Sequence, residues 1–131
     1  MMKHLLDTDW AIDHFHRVER VVRRLEQFSP EGLGLSVIPL AELYEGGFNS
    51  TDPVGNERVL QGFLAGISVV GVDEEICRIF GRERGRLRRE GRRIADFDLM
   101  IAATCLHHSL VILTNNRRHF EVVEGLEIIA V

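Results

Sequence analysis

Three acidic residues, far apart in the sequence, stand at positions where they could do chemistry together. Asp7 follows the apolar run His4-Leu5-Leu6, Glu42 lies in the first turns of a predicted helix, and Asp98 opens a strongly apolar segment. Neighbouring carboxylates repel one another, and their pKa values rise unless a cation neutralises them. Carboxylate oxygens suit Mg²⁺ or Mn²⁺. Such ions can activate a water and stabilise the leaving oxygen of a phosphodiester.

Each acid also has an ordinary structural explanation. An Asp at a strand end often forms a turn or caps a helix, and a Glu on a helix is usually solvated. Asp96 and Asp98 would both be favourable at a helix N-terminus. Asp98 is harder to explain in this way, because the following residues 99–103 are so apolar that their helix must be largely buried. An acid at the start of a buried helix needs a partner.

The elements that would position these acids follow from the hydrophobic periodicity. Short apolar runs predict strands at 4–7, 33–38, 67–72 and 109–113, with a last apolar run at 126–131. Helical spacing predicts helices between them: one through Ile12 and Leu25, one from Pro39 to Gly46-Gly47, and others over 56–64, 74–90 and 95–106. Strands alternating with helices indicate a parallel sheet covered on both faces.

This alternation predicts a three-layer α/β/α sandwich with a central, mostly parallel sheet of about five strands, formed by a single domain over residues 1–131. In such sheets ligands bind at the carboxyl ends of the strands. Asp7 lies at such an end, and so do Thr114 and Asn116, which follow the strand at 109–113. Four separate segments are therefore expected to deliver acids or amides to one edge of the sheet.

The charge distribution is uneven. The net charge is −4, which alone argues against a general nucleic-acid binder, yet seven arginines fall between Arg82 and Arg93. They could be a solvated face paired with Glu83 and Glu90, or a track for a phosphate backbone. The candidates for RNA binding are Arg86, Arg89, Arg93 and Arg117.

The remaining bulk features indicate an ordinary globular chain of the cytoplasm. Hydrophobic residues make up 45% and charged residues 27% of the 131 residues. Cys77 and Cys105 belong to no metal-binding spacing and are expected to be buried free thiols. No leader-like segment opens the sequence, and no apolar run approaches the roughly 18 residues of a membrane span. We therefore expect a cytoplasmic protein without a membrane partner.

Four segments resemble the PIN-domain ribonucleases, and in particular the VapC toxins of toxin–antitoxin pairs. They are LLDTDWAI at 5–12, SVIPLAELYEG at 36–46, IADFDLMIAA at 94–103 and VILTNNRRHF at 111–120, in the order that the family has them. The resemblance spans essentially the whole chain. It implies a PIN-like fold and a metal-dependent endoribonuclease.

The resemblance also implies roles for individual residues. Asp7, Glu42 and Asp98 match the three acids that bind metal in the family. Asn116 stands where many members carry a fourth acid, so a second metal would be held more weakly, and Asp96 is a further candidate ligand. Supporting roles, such as orienting the acids or a bound water, fall to Thr8, Asp9 and Thr114.

The implied reaction is hydrolysis of an RNA phosphodiester by water activated by Mg²⁺ or Mn²⁺, leaving a 5′-phosphate and a 3′-hydroxyl. The implied partners are the RNA substrate, a small VapB-like antitoxin that blocks the site, and a second copy of the chain in a homodimer.

Two alternatives stay open at this point. Asp7-Thr8-Asp9 also resembles the DxD motif of haloacid-dehalogenase-like phosphatases, in which the first Asp is the nucleophile. That interpretation expects a downstream Lys, but the only lysine is Lys3, and it leaves Glu42 unexplained. The other alternative is a catalytically inactive PIN module that binds RNA or protein, because Asn116 replaces an acid.

Overall fold

The computed structural model describes residues 2–130, which form five short strands and seven helices. The strands are β1 (His4–Leu6), β2 (Leu33–Ser36), β3 (Ser68–Val70), β4 (Val111–Leu113) and β5 (Ile128–Ile129). The helices are α1 (Thr8–Phe15), α2 (Glu19–Phe28), α3 (Val37–Phe48), α4 (Pro53–Leu64), α5 (Glu74–Arg89), α6 (Asp96–His108) and α7 (Arg117–Phe120). A single 3₁₀ turn, Ser29–Glu31, joins α2 to β2.

All described strands run parallel, in the order β3-β2-β1-β4-β5. The central strand β1 pairs with β2 and β4, so that Leu6 is level with Leu35 on one side and Leu113 on the other. The carboxyl ends of these three strands therefore meet at one edge of the sheet. This confirms the predicted parallel sheet and the placement of Asp7 beside Thr114.

Helices cover both faces of the sheet and create two hydrophobic cores. Along β1 successive side chains point to opposite faces. Leu5 joins the core that packs against α5 and α6, and Leu6 joins the core under α1–α4. In β4, Ile112 and Leu113 divide in the same way. The three-layer sandwich predicted from the sequence is thus confirmed.

The first predicted helix is two helices. The apolar spacing from Ile12 to Leu25 suggested one continuous element, but α1 ends at Phe15 and α2 begins at Glu19. Between them Arg17 takes a φ of 56°, which an α-helix does not allow. Val18, expected on the apolar face, is exposed in this break. Periodicity alone did not reveal the turn, since the spacing continues through it.

The helix α3 begins earlier and ends later than predicted. Residues 37 and 38 were expected to extend the strand, but the Ser36 side chain caps the helix by accepting from the Ile38 N–H at 3.1 Å. At the other end Gly46-Gly47 does not stop the helix, which continues to Phe48. The helix α4 also begins earlier, at Pro53, because Asp52 caps it through the Gly55 N–H at 3.1 Å.

Two further expectations concern burial and membranes. Cys105 is buried as expected, but Cys77 is exposed on α5, so the expectation of two buried thiols was wrong for Cys77. None of the helices within residues 2–130 is long and apolar enough to cross a membrane. The single domain over residues 1–131 stays a prediction, and Met1 and Val131 lie outside the described residues.

Candidate active site

Asp7 is fixed at the centre of the sheet edge by the two central strands. It follows β1 directly, and its backbone N–H donates to the carbonyl of Leu113 at 2.9 Å. Its side chain caps α1, where Oδ1 accepts from the Thr8 N–H at 2.8 Å. Only 2% of Asp7 is exposed. The residue is therefore a carboxylate of fixed orientation in a nearly dry position.

Thr114 holds the second oxygen of Asp7. Its hydroxyl donates to Asp7 Oδ2 at 2.6 Å, and the same hydroxyl oxygen accepts from the Asn116 N–H at 2.9 Å. Thr114 itself is fully buried at the end of β4. The turn after β4 is thus linked to Asp7 through one hydroxyl, and the supporting role of Thr114 stays a prediction.

Glu42 and Asp98 approach the same edge from two helices. Glu42 lies half-buried on α3, and its Oε1 accepts from the Thr8 hydroxyl at 3.2 Å. Asp98 lies in the first turn of α6, with its Oδ2 3.6 Å from Nδ1 of His119. Thr8 therefore links the Asp7 segment to Glu42, and its supporting role stays a prediction. His119 is a neighbour of Asp98 that sequence reasoning missed.

The electrostatics show that the acids share one environment. Burial raises the pKa of Asp7 to about 6, against the hydrogen bonds from Thr114 and Thr8, and the charges of Asp98 and Asp9 add to this rise. Burial also raises the pKa of Glu42 and of Asp98. The negative charge of Asp98 contributes to the rise at Glu42. Clustered acids with raised pKa values mark this sheet edge as a candidate functional site.

The donor set fits a hard divalent cation in its chemistry. Asp7, Glu42 and Asp98 offer only oxygen, which Mg²⁺ and Mn²⁺ prefer. Within residues 2–130, however, no three His, Cys, Asp or Glu side chains close into one metal-binding group. Glu42 and Asp98 are only partly buried, whereas Asp7 is buried. These two side chains would therefore have to draw inward around an ion held first by the rigid Asp7.

Two amides organise the turn after β4. Asn116 donates from Nδ2 to Asp9 Oδ2 at 2.5 Å, and Trp10 donates from Nε1 to Asn115 Oδ1 at 3.1 Å. Asp9 and Asn116 are thus in contact, and the contact uses the side-chain amide nitrogen of Asn116 and leaves its side-chain carbonyl oxygen out. Trp10 and Asn115 were not predicted to interact. The available signal was that a buried indole N–H usually finds an acceptor.

Asp96 lies apart from the acid cluster. Its side chain is 80% exposed and forms an ion pair with Arg84, which also donates to the carbonyl of Ile94 at 3.1 Å. Its role as a further metal ligand stays a prediction, and Arg84 would compete for its carboxylate.

The four arginines predicted to bind RNA occupy different surroundings. Arg86 is largely buried, pairs with Glu83 at 3.0 Å and Glu90 at 2.9 Å, and donates to the carbonyl of Val122 at 2.9 Å. Arg117 donates to the carbonyl of Ile128 at 3.1 Å. Arg89 is exposed, and Arg93 lines a cavity beside α6. Their role in RNA binding stays a prediction.

The chain matches the family model of the PIN domain over residues 5–126. It is 35% identical over 126 residues to the tRNA(fMet)-specific endonuclease VapC of Shigella flexneri, with 96% of each chain covered. Among solved structures it resembles DNA-bound VapBC from Salmonella typhimurium, with 31% identity, a TM-score of 0.91 and coverage of 99% and 98%. VapBC2 from Rickettsia felis, bound to a fragment of its promoter, gives a TM-score of 0.91 at 23% identity, with 99% of each chain covered.

The fold, the acid-lined sheet edge and these matches define the class: the chain belongs to the PIN-domain family, among the VapC ribonucleases. The resemblance predicted from the four sequence segments is thereby confirmed. The haloacid-dehalogenase alternative has no support in these matches.

Proposed function

We propose that the chain is an endoribonuclease toxin that hydrolyses RNA with a divalent cation, Mg²⁺ or Mn²⁺, held by Asp7, Glu42 and Asp98. The observation that carries this proposal is the shared field of the three acids, in which the buried Asp7 has a pKa of about 6. Such an arrangement is costly for folding unless a cation neutralises it. A structural role alone would not require it.

Some residues of the site would hold the cation, and others orient the residues that hold it. When bound, the cation would lower the pKa of a water and polarise the scissile phosphate. Thr114 and the Thr8 N–H hold both oxygens of Asp7 in one orientation, and the Thr8 hydroxyl orients Glu42. Positioning partners of this kind affect metal sites strongly although they do not touch the ion. Asp98 lies in the first turn of α6, where its Oδ2 is 3.6 Å from Nδ1 of His119.

Asn116, at the position where many family members carry a fourth acid, favours a site with one firmly held ion. Asn116 adds no charge where an acid would, and its amide nitrogen is engaged by Asp9. We therefore propose that a second ion binds weakly, or only when an RNA phosphate supplies ligands.

The relatives' names suggest the substrate and the partner. One relative is named as specific for tRNA(fMet), and solved relatives are complexes of a VapC with a VapB. We propose a structured RNA such as a tRNA as substrate, a VapB-like antitoxin as inhibitor, a homodimer as the assembly and the cytoplasm as the location. Exposed apolar side chains on α3 and α4, among them Phe48 and Val54, support a protein partner.

The test is cleavage of total RNA and of an initiator-tRNA transcript with Mg²⁺, with Mn²⁺ and with a chelator. The purified wild type is expected to cut in either metal, leave 5′-phosphate ends and stop in chelator. Asp7→Asn, Glu42→Gln and Asp98→Asn should each lower the rate at least 100-fold, while Asp13→Asn on α1 serves as a charge-matched control. Intact RNA with the wild type in both metals would favour the inactive binding module instead.

A further inference from the structure

A basic cavity opens beside the acid cluster, between the C-terminal half of α5 and the start of α6. Its volume is about 790 Å³, within the roughly 300–1,000 Å³ of pockets that take small ligands. The polar side chains of its lining are four arginines, one acid and one histidine: Arg84, Arg88, Arg92, Arg93, Asp96 and His119. In a chain whose net charge is −4, this is a local concentration of positive charge.

The sequence builds this cavity through spacing and one turn. Arg84 and Arg88 lie four residues apart and therefore on one face of α5. Gly91 then takes a φ of +68°, a conformation that favours glycine, and the Arg92 N–H donates back to the carbonyl of Leu87 at 2.9 Å. This reversal brings Arg92 and Arg93 to the side on which Arg84 and Arg88 lie.

Two of the four guanidinium groups are available for a ligand. Arg84 is engaged by Asp96, and Arg92 lies 3.6 Å from Glu90 in an exposed pair, which is weak. Within residues 2–130, neither Arg88 nor Arg93 forms an ion pair or a side-chain hydrogen bond. Their charge is not cancelled by a neighbour, so an anion in the cavity would meet it directly.

The cavity adjoins the candidate active site through His119 and α6. His119 lines the cavity, and its Nδ1 lies 3.6 Å from Asp98 Oδ2. Asp96, on the cavity wall, precedes Asp98 by two residues on the same helix. Because His119 lies beside Asp98 and also lines the cavity, an RNA strand bound at the acids can extend into the cavity.

We propose that this cavity binds a phosphate of the RNA backbone flanking the scissile bond, with Arg88 and Arg93 as its ligands. The proposal rests on the proposed nuclease function and adds the side of the acid cluster on which the strand is anchored. Guanidinium groups match phosphate in shape and donate two parallel hydrogen bonds to it. Arg86 is excluded from this role, because Glu83, Glu90 and Val122 engage it.

The test measures RNA binding separately from cleavage. In an Asp7→Asn background, binding of the initiator-tRNA transcript is compared between Arg88→Gln/Arg93→Gln and the charge-matched control Arg20→Gln/Arg58→Gln, whose arginines are exposed on α2 and α4. Each lost phosphate contact should make the salt slope shallower by about 0.7, or about 5-fold weaker binding at 0.1 M salt. Because both arginines bind the same phosphate, the double variant loses one such contact and should bind about 5-fold more weakly, with an unchanged melting temperature.

Neutral methylphosphonate linkages, placed one at a time around the mapped cleavage site, identify the phosphate. At one position flanking the cleavage site, the neutral linkage should weaken RNA binding by the control variant Arg20→Gln/Arg58→Gln. The same linkage should leave RNA binding by Arg88→Gln/Arg93→Gln unchanged. Equal affinity and salt slope in the two pairs would overturn the proposal, while wild-type cleavage would still support the nuclease function. Normal RNA binding with lost binding of the antitoxin would also overturn it, because the cavity would then serve a protein partner. Failure of the wild type to bind or cut any RNA would overturn both.

Discussion

Asp7 is a buried acid, and its burial disfavours the charged form of its side chain. Its pKa of about 6 lies above the value of 3.8 for an unperturbed Asp, chiefly because of burial. The folded protein therefore binds this proton more tightly than the unfolded chain does. The stability that the protonated Asp7 contributes is present below pH 3.8 and is lost as the pH rises through about 6.

We therefore expect Asp7→Asn to become more stable relative to the metal-free wild type as the pH rises from 4 to 7, by up to about 3 kcal/mol. Urea unfolding in the presence of a chelator, at several pH values, measures this difference. Added Mn²⁺ should stabilise the wild type and not the variant, since only the wild type retains the full ligand set. A difference that does not change with pH would show that burial does not raise the pKa of Asp7.

Thr114 tests whether orientation of Asp7 matters for activity. Replacing it by Val keeps the shape but removes the hydroxyl that donates to Asp7 and accepts from Asn116. We expect a loss of about 10- to 100-fold in metal affinity or cleavage rate. The matched control is Thr104→Val, where the hydroxyl bonds only to the Met100 carbonyl of its own helix. Equal activity in the two variants would mean that Thr114 only fills space.

At the residue scale the sequence allowed candidate site residues to be chosen, but it did not reveal their contacts. Asp7, Glu42, Asp98 and Thr114 could be selected because strand ends and helix starts are readable from periodicity. The contacts of His119 with Asp98 and of Trp10 with Asn115 could not, since both depend on side-chain packing across distant segments. The individual arginines were also unreadable, because burial on α5 depends on what packs against each face.

Among the elements, α5 carries an ion-pair network that joins it to the segment after α7. Glu83 is 5% exposed and accepts from Arg86 at 3.0 Å, and Arg86 also donates to the carbonyl of Val122. Removing Arg86 would leave the buried Glu83 with only the exposed Arg82, 3.7 Å away, as a cationic neighbour. Breaking a buried ion pair from one side costs more than the intact pair contributes to stability.

We therefore expect Arg86→Gln to lower the free energy of unfolding by about 2 kcal/mol. Glu83→Gln in the same chain should restore part of this loss, because the buried charge that has lost Arg86 is then removed. Urea unfolding of the two single variants and the double variant measures the coupling. Additive losses would contradict a direct Glu83–Arg86 interaction.

The elements themselves were largely predictable, and their ends were not. Alternation of apolar runs and helical spacing predicted the parallel sheet and the layers that the structure shows. The break between α1 and α2 at Arg17 and the early start of α3 at Ser36 depend on backbone conformation and capping. Neither changes the hydrophobic pattern, so the pattern could not reveal them.

In the whole molecule, an acidic cluster at the edge of the sheet adjoins a basic cavity between α5 and α6. The acids alone would repel RNA, and the arginine cavity alone would bind it without cutting. The chain combines the two while its net charge stays at −4. RNA binding should therefore weaken steeply as the salt concentration rises, while metal binding by the half-buried acids changes less.

The proposed function requires that RNA cleavage depend on a cation held by Asp7, Glu42 and Asp98. Its most direct test is to measure Mn²⁺ binding and the single-turnover cleavage rate of the same protein samples across one Mn²⁺ titration. We expect cleavage to rise in step with Mn²⁺ occupancy in the wild type and in Asp13→Asn. Both cleavage and Mn²⁺ binding should be lost together in Asp7→Asn and Asp98→Asn. Full cleavage at zero occupancy, or a metal-saturated wild type that leaves RNA intact, would contradict it.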